Sequence, residues 1–138
     1  MADIKKYKIA HGTDIHVYIG GKFKLSVECK AFTENAMLKR ILFDAYLLQT
    51  KYSELKFLLV QLESMLGGDY KNLTQQGIGS KSSHTLMSYM KSVNLEIITL
   101  LSGERKVDKP IHHPDFRKPL KKRTLIHAVI TIAKLLTE

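Results

Sequence analysis

The apolar positions change period along the chain. Over residues 4–31 they alternate with polar ones. Tyr7 and Ile9 interleave with Lys6 and Lys8, and Ile15, Val17 and Ile19 with Asp14, His16 and Tyr18. Phe23, Leu25, Val27 and Cys29 interleave with Lys22, Lys24, Ser26, Glu28 and Lys30. Period two is that of a strand with one buried face. Gly20-Gly21 between two such runs predicts a tight hairpin, because a type I′ turn needs positive φ at both central residues. His11-Gly12-Thr13 predicts an earlier turn. The expectation is a three-stranded antiparallel meander over 4–31. One face is aliphatic; the other carries Lys6, Lys8, His16, Tyr18, Lys22, Lys24 and Lys30 against only Asp14 and Glu28.

From Glu34 to Leu66 there is no glycine and no proline. Leu38, Ile41, Ala45, Leu48, Tyr52, Leu55, Leu59, Leu62 and Leu66 recur at steps of three and four. That spacing predicts one long helix over 34–66, capped by Thr33 and ended by Gly67-Gly68. Such a helix measures about 50 Å, against a diameter of roughly 37 Å for a compact domain of this size. Leu42, Leu58 and Met65 widen the stripe, and Phe43, Tyr46, Leu47, Phe57 and Val60 back it. A helix apolar nearly all round is buried on several sides. It is therefore expected to project into a second copy of the chain, as a homodimer or higher oligomer.

Asp69 to Lys81 is a polar connection. A second helix is predicted over 82–102, with Leu86, Met90, Val93, Ile97 and Leu100 inward. A third is predicted over 119–136, with Pro119 at its first position and Leu125, Ile126, Val129, Ile132, Ala133 and Leu136 inward. The expected fold is a single α+β domain over 1–138. In it a small antiparallel N-terminal sheet packs on a three-helix bundle with one long central helix.

Composition narrows the class. A chain of 138 residues, 44% hydrophobic and 25% charged, is an ordinary globular domain rather than a disordered one. The single cysteine, Cys29, falls on the aliphatic side of a strand and is expected to be a buried, inert thiol. The N-terminus shows charge but no apolar signal-like core, and no apolar run approaches the roughly 20 residues of a membrane span. A cytoplasmic protein is expected. The formal charge of +9 is uneven. Residues 1–33 carry net +3 and residues 104–123 net +5, whereas 34–103 carry only +1. Two concentrated basic regions point to an anionic partner.

Four stretches bear on chemistry. Gly77-Ile-Gly-Ser-Lys-Ser-Ser83 lies ahead of a predicted helix, where converging backbone N–H groups favour an anion. A phosphate-binding loop would need lysine directly after glycine and a strand before it. A flexible turn with a serine cap is the plainer explanation. Ile111-His-His-Pro-Asp115 holds metal-ligand side chains, but adjacent histidines in an extended loop point apart, and no H-x-x-x-H or C-x-x-C accompanies them. Lys121-Lys122-Arg123 followed by an apolar dozen has the outline of a membrane-surface helix, although a dozen residues are too few to span and a buried core helix explains them better. Arg117, Lys118, Lys121, Lys122 and Arg123 form the densest basic run, of the kind that neutralises phosphates.

No Ser/His/Asp order, spaced carboxylate pair or activated cysteine emerges, and no cofactor or metal is implied. The leading expectation is a non-enzymatic nucleic-acid-binding protein. Lys22, Lys24, Arg117, Lys118, Lys121, Lys122 and Arg123 would contact phosphates, and Tyr18 would stack on a base. Two alternatives stand beside it. One is an assembly or inhibitor module docking on an acidic protein. The other is a sponge or sensor for an anionic nucleotide held near Gly79, Ser80, Lys81 and Ser82.

Overall fold

Gly20 and Gly21 adopt φ of +57° and +75°. This left-handed pair folds β1 (Ile15–Ile19) back onto β2 (Lys22–Thr33) as an antiparallel hairpin. The structure, a computed structural model, describes residues 12–67 and 80–138. The first strand of the expected meander, ahead of His11, lies outside the described residues.

The chain next forms α1 (Asn35–Lys51), and Glu34 rather than Thr33 occupies its N-cap. Thr33 instead ends β2, fully buried. A turn over 52–55 leads into β3 (Lys56–Ser64), which pairs parallel with β2. The single helix expected over 34–66 is therefore wrong: it is a helix of 17 residues followed by a strand of 9. At 1.5 Å per residue, α1 is about 26 Å long and fits within its own domain. The periodicity misled for a physical reason. An inner strand of a parallel sheet is covered on both faces and reads as a near-continuous apolar run. Phe57, Leu58 and Leu59 are all buried, with Phe57 and Leu59 packed in one core cluster and Leu58 in another. Such a run satisfies a helical stripe as readily as a strand.

The same correction applies to 82–102. That stretch divides into α2 (Lys81–Tyr89) and β4 (Leu95–Thr99), with β4 parallel to β3. A one-turn 3₁₀ segment, Pro114–Phe116, follows, and α3 (Lys122–Thr137) closes the chain near its predicted position. The sheet order is β1-β2-β3-β4. The small antiparallel sheet on a helical bundle is thus replaced by a central mixed sheet with helices on both faces. Parallel neighbours require crossover connections, and α1 and α2 provide them.

Leu38, Ile41, Leu42 and Ala45 of α1 join Phe57 and Leu59, with Leu86 and Met87 of α2 against them. On the opposite face Ala128, Ile132 and Leu135 of α3 cover Leu25, Val27, Leu58 and Ile98. Register then fixes which polar residues share the α1 side. Glu28 pairs with Leu59, Lys30 with Gln61 and Phe32 with Glu63. Paired residues of adjacent strands point the same way. Toward the C-terminal ends of β2 and β3, this face is therefore charged and polar rather than aliphatic.

Candidate active site

A β-bulge decides what meets across the hairpin. At its closed end Ile19 pairs with Lys22 and Tyr18 with Phe23. Continued without a bulge, that register would set Asp14 opposite Val27. The register instead shifts between Val17 and Tyr18, so Val17 pairs with Leu25 and Ile15 with Val27. One step further, Asp14 lies opposite Glu28. The Cys29 amide donates to Asp14 Oδ2 at 2.7 Å and fixes that carboxylate beside β2. Glu28 Oε1 is ion-paired with Lys30 Nζ. Glu28 and Lys30 lie two residues apart on one strand and so share a face. Their side chains are 17% and 35% exposed, and Asp14 is exposed. Two carboxylates and an ammonium therefore meet at an accessible part of the sheet.

Cys29, between them in sequence, reports the cluster. It is exposed rather than buried as expected. Its thiol pKa is raised, first by desolvation and then by the Asp14 and Glu28 carboxylates, with Lys30 opposing. A thiol shifted in this direction is a weaker nucleophile than an ordinary one.

The donor set suits a hard divalent cation. Mg²⁺ is commonly held by one or two carboxylates, with water and phosphate oxygens completing its shell. Asp14 and Glu28 supply that number, and each carboxylate has a second oxygen beyond the one already engaged. Among the described residues no group of three or more His, Cys, Asp or Glu is placed to hold a metal by itself. His113 is occupied locally: its Nδ1 accepts from the Asp115 amide at 3.4 Å and caps the 3₁₀ turn. His112 is exposed beside it.

The other predicted residues are dispersed. Tyr18 stacks on Phe23 with ring centroids 5.1 Å apart, and Phe23 meets Tyr52 edge-on at 5.3 Å. Lys22 is exposed, and Lys24 Nζ lies 3.6 Å from Glu54 Oε2. Arg117, Lys121, Lys122 and Arg123 are exposed around the start of α3. Lys118 turns inward instead. Its Nζ sits 2.5 Å from Glu63 Oε1, at angles outside those of a hydrogen bond, and 3.2 Å from the Glu104 carbonyl oxygen. Ser80 caps α2, its Oγ accepting from the Ser83 amide at 3.1 Å. Lys81 and Ser82 are exposed in the first turn, and Gly79 lies outside the described residues.

Sequence reasoning missed Asp14, Glu28 and Lys30 as a unit. A signal existed: Asp14 and Glu28 are the only acids on the basic face of the hairpin pattern. Read from the Gly20-Gly21 turn alone, however, they fall out of register, and nothing in the alternation announces the bulge.

No protein-family model matches the chain. It is 53% identical over 137 residues to the type II restriction enzyme DdeI of Desulfomicrobium norvegicum. The match covers 99% of this chain and 57% of that enzyme, so the chain spans little more than half the length of its relative. Its fold is similar to that of a chain in the native BbvCI A2B2 tetramer, with a TM-score of 0.53 at 12% identity. That match covers 90% of this chain and 43% of the other. The likeness to a restriction enzyme overturns the expectation of a non-enzymatic binding protein. It also removes the ground for the assembly-module and nucleotide-sponge alternatives. Among the described residues no helix is long and apolar enough to cross a membrane.

Proposed function

We propose that this chain carries the hydrolytic centre of a DNA endonuclease, built from Asp14, Glu28 and Lys30. The observation that carries the reading is the Asp14 carboxylate held by the Cys29 amide, between Glu28 and Lys30, which share a face and an ion pair. The identity to a type II restriction enzyme supports DNA as the substrate class. Asp14 and Glu28 are the residues that would hold a divalent cation. When bound, such a cation stabilises charge on the phosphate and makes water more acidic. Asp14 arrives already oriented, because the Cys29 amide holds one of its oxygens. Lys30 offers three N–H donors and a fixed positive charge where a phosphate oxygen becomes more negative. Water adds to phosphorus, a phosphorus–oxygen bond to the sugar breaks, and the departing oxygen takes a proton.

Binding precedes chemistry. Arg117, Lys121, Lys122 and Arg123 are exposed and free to meet backbone phosphates, with salt-sensitive affinity. Lys22 and the aromatic pair Tyr18–Phe23 extend the same hairpin beyond the carboxylates. A duplex has two strands of opposite polarity, and one centre cuts one strand at a time. Cutting both calls for a second subunit related by a two-fold axis. Incubating supercoiled plasmid with the chain and Mg²⁺ tests the reading. Nicked or linear product that disappears in Glu28→Gln supports it; intact plasmid under all conditions contradicts it.

A further inference from the structure

The sheet residue beside Lys30 is Gln61, its register partner on β3. Gln61 is 1% exposed. Its Nε2 donates to Thr99 Oγ1 on β4 at 2.9 Å, which sets the side chain on the same face as Glu28 and Lys30. Its Oε1 has no hydrogen-bond partner among the described residues. Leaving a buried acceptor unpaired is costly, and a native site that keeps one calls for a functional reason or a further donor.

Two cations that touch β2 and β3 are already engaged. Lys118 is engaged by Glu63 and by the carbonyl oxygens of Gly103 and Glu104. Arg105 lies over the Phe32 ring, 3.5 Å from its centroid, with a contact to the Met65 sulfur. Lys30 is one strand away, a spacing of about 4.8 Å between neighbouring backbones. Its ammonium now rests on Glu28. A divalent cation and that ammonium compete for one carboxylate. If the cation takes Glu28, the displaced ammonium needs another acceptor on this face.

We propose that Gln61 is a positioning residue: its buried carbonyl oxygen receives the Lys30 ammonium when Glu28 turns to a divalent cation. The proposal rests on the reading of Asp14, Glu28 and Lys30 as a cation-dependent centre. Gln61 thereby keeps Lys30 beside the scissile phosphate and lowers the cost of releasing Glu28.

Calcium binding tests this without cleavage. In calorimetric titrations of the 138-residue chain with Ca²⁺, Gln61→Met weakens affinity by about tenfold, the scale seen when groups supporting metal ligands are removed. In a Lys30→Met background the same substitution has no effect. Thr99→Val, which removes the Nε2 partner but leaves Oε1, also has no effect. Equal weakening in both Lys30 backgrounds, or none in either, overturns the proposal. Should Gln61→Met fail to fold, the native residue reports instead. Its side-chain carboxamide carbon resonance shifts on adding Ca²⁺ to the unsubstituted chain and stays fixed in Lys30→Met; a resonance unmoved in both contradicts the proposal. An Asp14→Ala chain that binds Ca²⁺ as before overturns the centre and the proposal together. A normal Asp14 effect with no Gln61 effect overturns the proposal alone.

Discussion

The Cys29 amide donates to Asp14 Oδ2 across 2.7 Å, tying the residue between Glu28 and Lys30 to the acid just ahead of β1. The Cys29 thiol therefore sits in the field of all three charged groups, and its pKa is raised above the ordinary thiol value. Burial is the first cause, followed by the two carboxylates, with Lys30 pulling the other way. Only the thiolate is alkylated, so the rate at fixed pH reads the thiolate fraction. Asp14→Asn or Glu28→Gln lowers the pKa and speeds alkylation by iodoacetamide at pH 8, and Lys30→Met slows it. The direction of each rate change reads the sign of the charge removed beside the thiol. Equal rates in all four proteins contradict the cluster.

The pair Glu63–Lys118 anchors the basic loop to the sheet. Glu63 is 3% exposed at the side chain and Lys118 24%. Lys118→Met leaves a carboxylate buried without its cation. The expected cost is about 2–4 kcal/mol, below that of a fully buried pair because water reaches the ammonium. Adding Glu63→Gln removes the stranded charge and restores part of the loss. Urea denaturation of the single and double variants reads both values. An additive double variant contradicts direct pairing.

β3 lies between β2 and β4, so its amides are covered on both edges as well as both faces. Amide hydrogen exchange is predicted to be slowest over 57–61, and faster across the turn at 52–55 that divides α1 from β3. Uniform protection from 35 to 66 would restore the single long helix and contradict the sheet.

The hairpin, the start of the first helix and the position of the last were legible in the sequence, because each carries a local signal. Gly20-Gly21 permits one kind of turn, and the alternation from Ile15 to Lys30 has a strand period. The interior strands were not legible. Leu55, Phe57, Leu58 and Leu59 are covered on both sides by elements far away in sequence, so they show no polar face from which to count a period. Val93 to Leu100 misled in a related way: β4 is an edge strand, but Ile97 and Ile98 pack on its opposite faces. The site was not legible: Asp14, Glu28 and Lys30 read only as members of a long, mostly basic face, and their meeting depends on a one-residue bulge near Lys24. Lys118 shows the converse. It reads as part of a basic run, yet one acid on a distant strand, Glu63, draws it inward.

The claim on which the account turns is that Asp14, Glu28 and Lys30 act as one cation-dependent hydrolytic centre. The direct measurement is the rate of Mg²⁺-dependent cleavage of duplex DNA by the unsubstituted chain and by Asp14→Asn, Glu28→Gln and Lys30→Met, with duplex affinity measured in Ca²⁺. Groups that act as a unit fail together. Each substitution is predicted to reduce cleavage by about a hundredfold or more while leaving duplex affinity within about threefold. Cleavage that persists in all three variants, or that is lost only as far as DNA binding is lost, would contradict it.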